Sequence, residues 1–177
     1  EKGMTFTFLT FGTNDSNIDY LRKYNINVIQ IYEKIKLSRY SLINYLKSFL
    51  IPFVLKKDLK NVDVIKQNQL LGSWISVILK YLLKKPLFIR TGYDMYEFSI
   101  KENKKWRIKS LYKMLTFFSL YFSDIYSVSS KSDKIFLEKE YKNLSSKVIV
   151  RPNWVKEIET GNFDERYENR IICVGRL

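Results

Sequence analysis

Apolar and polar residues follow one another along this chain in patterns that predict alternating strands and helices. Alternating and β-branched runs predict strands, and apolar residues at helical spacing predict helices. The predicted strands are Met4–Phe11, Ile26–Ile31, Val62–Lys66, Leu87–Arg90, Asp124–Ser129 and Lys147–Arg151. The predicted helices are Ser38–Lys57, Leu70–Leu83, Trp106–Phe122 and Lys134–Tyr141, with a shorter helical turn at Ile18–Lys23. Such alternation is typical of an α/β protein with a doubly wound parallel sheet.

The stretch from Asn61 to Phe98 carries the clearest part of this pattern. Val62–Lys66 is a short β-branched run that suggests a strand buried on both faces, and Pro86 ends the helix that follows it. A second strand comes directly afterwards, so the three elements form a βαβ unit with parallel strands. Ligands of open α/β sheets bind beyond the carboxyl ends of the strands. The first candidates for a site are therefore Gln67, Asn68, Gln69, Arg90, Thr91, Gly92, Tyr93 and Asp94.

Local signals refine the remaining elements. Ser38 is a plausible N-cap, and Pro52 is expected to bend or break the helix that Ser38 begins. The polar segment Glu97–Trp106 predicts a loop. The aromatic residues of Trp106–Phe122 fall on all sides of the predicted helix, which favours a buried position for it.

Ser129 and Ser130 lie at a strand end and open the next helix. The backbone amides and the positive end of that helix could hold a phosphate group. Capping of the helix by Ser130 or Ser132 explains the same residues without a ligand.

Composition adds a strong charge bias. The 177 residues suit one α/β domain, and the net charge of +13 favours an anionic partner, which could be a phospholipid surface, a nucleic acid or a phosphorylated substrate. A biased, Lys-rich composition would produce the same excess. The absence of histidine excludes His-based acid–base catalysis, and no metal site is predicted because no carboxylate or cysteine cluster replaces it. Cys173 lies in an apolar run and is interpreted as a buried thiol.

The segment from Lys34 to Lys60 combines seven basic residues with interleaved aromatic ones. A helix of this kind can lie in a lipid interface with its lysines on anionic headgroups. The alternative is an ordinary amphipathic helix that packs on the sheet and exposes a solvated lysine face. No apolar run approaches the ~18–20 residues of a membrane span.

The order of the motifs resembles that of the GT-B glycosyltransferases of the large retaining family 4. The motifs are VDVIKQNQ, KPLFIRTGYD, SDIYSVSSKSDKIF, KVIVRPNWV and, after a charged linker, RIICVGRL. The resemblance implies a Rossmann-like acceptor-binding domain over residues 1–155 that lacks its first strand. It further implies an interdomain linker over residues 156–169 and the first strand of a truncated donor-binding domain over residues 170–177.

The resemblance also implies roles for particular residues. Gly175 and Arg176 match the part of the family that contacts the donor diphosphate, and Asn153 matches the turn at the interdomain crossing. Many members carry a His-Asp pair where this chain has Tyr93-Asp94. Asp94 and Arg90 are then the catalytic candidates, although the two could simply pair at the sheet edge. The acceptor-binding candidates are Gln67, Asn68, Thr91, Gly92, Tyr93, Ser129 and Ser130.

The implied enzyme moves a sugar from a nucleotide-sugar donor to a lipid-linked or other glycan acceptor in surface polysaccharide synthesis. It uses no cofactor or metal, and it lies in the cytoplasm on the inner face of the cell membrane, against an anionic surface and without a nucleic-acid partner. The family's glycine-rich loop would precede Glu1, and its lysine and paired glutamates would follow Leu177, so this chain alone is expected to be inactive. The alternative is a non-catalytic basic α/β module that binds nucleic acid or membrane.

Overall fold

The described part of the chain, in a computed structural model, comprises residues 3–10, 21, 23–24, 26–36 and 38–153, with only the backbone described at Ser145. Its strands are β1 (Phe6–Thr10), β2 (Ile26–Gln30), β3 (Ile65–Asn68), β4 (Leu87–Arg90), β5 (Ile125–Val128) and β6 (Val148–Val150). Its helices are α1 (Ile31–Lys34), α2 (Ser41–Ser48), α3 (Ile51–Leu55), α4 (Ser73–Leu83), α5 (Met95–Lys101), α6 (Trp106–Phe122) and α7 (Lys131–Glu140). A 3₁₀ helix follows at Lys142–Lys147.

All strand pairs in the described residues are parallel. β1 pairs with β2, and the other four strands form a second sheet in the order β3-β4-β5-β6. Each strand of this second sheet is followed by helix before the next strand, because parallel neighbours need a crossover connection. The prediction of an α/β protein with Rossmann-like parallel sheets is confirmed.

One face of the four-stranded sheet forms the main core with the helices. Leu87 and Ile89 of β4 pack with Tyr126 of β5 and with Leu120 of α6, and all four side chains are almost fully buried. Alternate residues of a strand point to opposite faces, so this packing leaves Phe88 and Arg90 on the other face. A second cluster joins α3 and α4 to the smaller sheet, and its buried residues are Ile31, Ile51, Leu55, Leu59, Ile75 and Leu79.

The strand predicted at Val62–Lys66 begins later, and the prediction that both its faces are buried is wrong. β3 begins at Ile65, which pairs with Leu87, so Gln67 and Asn68 lie inside the strand. Lys66 is exposed and Ile65 is half-buried. The helices cover one face of this sheet, and several residues on the other face, such as Lys66, Asn68 and Ile125, are exposed.

The prediction of a loop at Glu97–Trp106 is also wrong, because α5 occupies much of this segment. Asp94 caps this helix by accepting a hydrogen bond from the Glu97 amide. The Asp-x-x-Glu spacing of these two residues resembles the capping box, and it is the feature of the sequence that could have predicted the start of α5.

The single helix predicted over Ser38–Lys57 is two helices, α2 and α3. Pro52 lies in the first turn of α3, as the prediction of a break requires. Ser38 does not cap α2, which Tyr40 precedes without a side-chain cap. Instead the Ser38 amide donates to Asn44 Oδ1 at 2.7 Å, and Asn44 Nδ2 donates back to the Ser38 carbonyl.

The helix α6 has the predicted bounds but not the predicted burial. Small residues such as Thr116 and Ser119 face inward, whereas Met114 and Phe117 are exposed. Most of the turn predicted at Ile18–Lys23 lies outside the described residues. The linker, the strand predicted over residues 170–177 and the donor candidates Gly175 and Arg176 lie wholly outside them.

Candidate functional site

The carboxyl ends of β3, β4, β5 and β6 meet at one edge of the larger sheet, which we call the carboxyl edge. It carries most of the candidate site residues, because parallel strands end on the same side. The candidates at this edge are Gln67, Asn68, Arg90, Thr91, Gly92, Tyr93, Asp94, Ser129, Ser130 and Asn153.

The side chain of Gln67 is used inside the fold. Its Nε2 donates to the carbonyls of Asn68, Gln69 and Leu71 at 3.1–3.4 Å, and its Oε1 accepts from the Ser76 hydroxyl. These bonds hold the turn between β3 and α4, where Gln69 has a φ of 74°. Asn68, by contrast, is exposed.

Arg90 reaches across β5 to the segment that follows β6. Its Nη2 donates to Asn153 Oδ1 at 2.9 Å, with longer contacts of 3.4 Å and 3.5 Å to the carbonyls of Arg151 and Pro152. The structure therefore brings together two candidates that are 63 residues apart in the chain. Among the described residues Arg90 forms no ion pair with Asp94, so the alternative in which these two residues pair is wrong.

Hydrogen bonds join the two loops that follow β4 and β5. The Thr91 amide donates to the Ser127 carbonyl at 2.9 Å, and the Ser129 hydroxyl donates to the Gly92 carbonyl. Thr91 is buried, whereas Gly92 and Tyr93 are exposed. Tyr93 thus presents an accessible aromatic ring at this edge.

Asp94 is buried, with only 1% of its surface exposed. Its Oδ1 accepts from the Glu97 amide at 2.8 Å and its Oδ2 accepts from Thr116 Oγ1 at 3.2 Å. The carboxyl group therefore connects the start of α5 to the middle of α6. Burial raises the pKa of Asp94 above the ordinary value, and the two hydrogen bonds offset this only in part.

Ser130 caps α7, which confirms the simpler of its two interpretations. Its hydroxyl oxygen accepts from the Asp133 amide at 3.0 Å, and the hydroxyl donates to Asp133 Oδ2 at 2.6 Å. The Asp133 carboxylate already supplies a negative charge at this helix end. An added phosphate would be repelled there.

A second candidate surface lies on α2 and α3, and we call it the α2–α3 surface. It exposes large apolar side chains beside basic ones, which extend from Lys36 to Lys60. Trp74 of α4 supports α2 from below, with its ring 5.1 Å from Tyr45 and 5.9 Å from Phe49. The exposed apolar residues are Leu42, Ile43, Tyr45, Leu46, Phe49, Leu50, Phe53 and Val54.

Two kinds of feature are absent from the described ranges. No group of three or more potential metal ligands comes together there. No helix within the same ranges has the length and hydrophobicity to cross a bilayer.

The class of protein that the fold and the edge define is an α/β protein with Rossmann-like parallel sheets. Neither the models of known protein families nor the curated proteins give a match to this chain. The resemblance to retaining glycosyltransferases therefore rests on the order of the motifs.

Two residues of this region, Thr116 and Arg151, were not among the candidates predicted from the sequence. Thr116 lies in the middle of α6, 22 residues from Asp94, and no local pattern connects them. Arg151 comes two residues after Ile149 at the end of β6, so strand alternation could have placed it on the same face. Its approach to Phe88 required the strand order.

Proposed function

We propose that this chain is the acceptor-binding part of a retaining glycosyltransferase, which takes a sugar from a nucleotide-sugar donor and passes it to a lipid-linked glycan. The observation that carries the proposal is the hydrogen bond from Arg90 to Asn153 at the carboxyl edge. It joins the edge where α/β sheets bind ligands to the segment that corresponds, by the resemblance, to the interdomain crossing.

The accessible residues of the edge are proposed to contact the acceptor. Asn68, Gly92 and Tyr93 are exposed, and the amide of Asn68 and the aromatic ring of Tyr93 suit hydroxyl groups and an apolar sugar face. Asp94 is assigned a positioning role, because its two oxygens are engaged by Glu97 and Thr116. Gln67 likewise holds the turn after β3.

The α2–α3 surface is proposed to lie on the cytoplasmic face of an anionic membrane. Leu42 and Leu46 are 75% and 64% exposed and lie one turn apart on α2. Lys47 is held close by, with its Nζ donating to the Lys36 carbonyl at 2.7 Å. Apolar side chains flanked by lysines suit insertion between lipids with contact to anionic headgroups.

Co-sedimentation of the 177-residue chain with vesicles tests the membrane part. We expect binding to vesicles that contain phosphatidylglycerol and weak binding to neutral ones. Leu42→Gln and Leu46→Gln should each weaken binding about fivefold, which corresponds to about 1 kcal/mol for partial burial of a leucine. Ile135→Gln on α7 is the matched control, since Ile135 is equally exposed but lies off this surface. Equal effects of all three variants contradict the assignment.

The reading frame around this segment tests the enzyme part. A glycine-rich strand and loop upstream, with a lysine and paired glutamates downstream, would support the transferase, and a radiolabelled nucleotide sugar with vesicle-borne acceptor would then test transfer. Stop codons directly outside Glu1 and Leu177 would reject transferase activity for this product. The exposed basic and apolar residues of the α2–α3 surface favour a membrane-binding module as the second candidate. Retention on heparin that collapses with salt, without vesicle binding, would instead support a nucleic-acid-binding module.

A further inference from the structure

The face of the four-stranded sheet that points away from the main core is only partly covered, and we call it the open face. The strand register assigns residues to it, because paired residues of parallel strands point the same way. Phe88 pairs with Lys66 and Ile125, and Arg90 pairs with Asn68 and Ser127. The open face therefore carries Lys66, Asn68, Phe88, Arg90, Ile125, Ser127, Ile149 and, just after β6, Arg151.

The charges on the open face all have the same sign. Lys66, Arg90 and Arg151 are cationic, and no carboxylate belongs to the set. In the described ranges none of these three cations forms an ion pair. Their mutual repulsion is thus left unbalanced, which favours binding of an anion.

The two arginines reach across β5 in opposite directions. Arg90 extends from β4 to the residues after β6, and the Arg151 guanidinium lies 6.0 Å from the ring centroid of Phe88 in β4. Within the described part of the chain, the Arg90 side chain forms its hydrogen bonds through Nη2 alone. A guanidinium has five N–H donors, so both side chains retain donors for a ligand.

A buried hydroxyl lies below this crossing. Ser127 pairs with Arg90 and is fully buried, whereas Ile125 and Ile149 on the same face are exposed. Among the described residues its Oγ has no hydrogen-bond partner. Buried hydroxyls are normally satisfied, so Ser127 Oγ, like Thr91 Oγ1, is an unsatisfied polar atom of the described chain close to Arg90 in the sheet.

We propose that the open face binds a phosphate group between Arg90 and Arg151 at the carboxyl edge. Planar guanidinium groups bind phosphate oxygens in pairs of hydrogen bonds, and two of them neutralise its charge. Asn153 Oδ1 already accepts from Arg90, so the hydrogen bond does not use the two N–H donors of the Asn153 amide. The inference stands without the transferase proposal, although a phosphate-linked acceptor has the required chemistry.

Titration of the 177-residue chain with inorganic phosphate, at constant ionic strength set by chloride, tests the proposal. Isothermal calorimetry should give a dissociation constant that rises about tenfold or more in Arg151→Gln, as expected for loss of a charge-assisted hydrogen bond. Arg107→Gln is the matched control, because Arg107 is an exposed arginine at the start of α6. Equal phosphate affinity in the wild type and both variants would overturn the proposal.

Arg151→Gln is the deciding variant, because among the described residues the Arg151 side chain makes no hydrogen bond whose loss would unfold the chain. Arg90→Gln should weaken phosphate binding similarly but also frees the segment after β6. A phosphate group could come from a soluble phosphate ester or from a lipid headgroup. Binding of glycerol phosphate in solution tests the first source, and binding of vesicles with phosphatidic acid tests the second. Loss of either binding in Arg151→Gln supports the subsite. Unchanged phosphate binding with intact membrane binding would reject this subsite alone and leave the transferase proposal standing.

Discussion

Replacement of Asp94 by alanine should destabilise the fold through two separate losses. The variant loses the N-cap of α5, which costs about 1 kcal/mol. It also leaves the buried Thr116 hydroxyl without its partner, which costs about 1–3 kcal/mol. The sum of about 2–4 kcal/mol corresponds to a fall in Tm of roughly 5–15 °C for a chain of this size.

Asp94→Asn separates these losses from any chemical role of the carboxyl group. The asparagine Oδ1 can still accept from the Glu97 amide, and its Nδ2 can donate to Thr116 Oγ1. We expect its free energy of unfolding in urea to stay within about 1 kcal/mol of the wild type at neutral pH. Thr116→Val is the companion variant, because it removes the other end of the same hydrogen bond.

The difference in the free energy of unfolding between the wild type and Asp94→Asn should depend on pH with a definite sign. The folded pKa of Asp94 is raised by burial, so the folded state holds the proton more tightly than the unfolded state. The stability that the protonated group contributes is complete below the unfolded pKa, near pH 4, and is lost as the pH rises through the folded pKa. Wild-type stability relative to Asp94→Asn should therefore decrease between about pH 4 and neutrality.

Two results would refute this reasoning. An Asp94→Ala chain with the urea midpoint of the wild type would show that neither hydrogen bond stabilises the fold. In the proposed transferase, a folded Asp94→Asn variant that loses transfer with an unchanged KM would show that the carboxyl group acts on the substrate rather than as a positioning residue.

Three further predictions concern the packing around the sheet. Leu120→Ala should cost about 2–5 kcal/mol in urea unfolding, because Leu120 is fully buried in the main core. Partial burial alone would raise the pKa of Asp124, but the hydrogen bond from Lys80 holds this pKa below its ordinary value. Asp124→Asn should therefore lower stability above the unfolded pKa, and the deficit should disappear as the pH falls through the folded pKa. Ser48→Ala removes the oxygen that accepts the 2.9 Å hydrogen bond from the Trp74 indole N–H. The loss should lower the stability of α2 by about 1 kcal/mol and accelerate hydrogen exchange of its backbone amides.

Elements with long, regular patterns were predictable from the sequence. α6 and β4 have the predicted bounds, because seventeen helical residues between polar ends and a short apolar strand after Pro86 each carry their own start and stop signals. The break at Pro52 was predictable for the same local reason.

Short or polar elements were less predictable. α5 has only seven residues, too few to show a clear helical period, and it forms because Asp94 caps it and α6 packs against it. β3 starts three residues later than the β-branched run, because its position is set by pairing with β4. That shift moves Gln67 from the expected loop into the strand, where its side chain is consumed by the neighbouring turn.

The sequence by itself determined the α/β class, the parallel arrangement and the edge at which polar residues collect, because these depend on local periodicity and on crossover geometry. Only the tertiary structure decided which of those polar residues remain available. Asp94 is buried and joins α5 to α6 through its hydrogen bond with Thr116. The strand order brings Arg90 into contact with Asn153 and Arg151 into contact with Phe88. Contacts between residues more than sixty positions apart depend on strand order and register, which no local pattern contains.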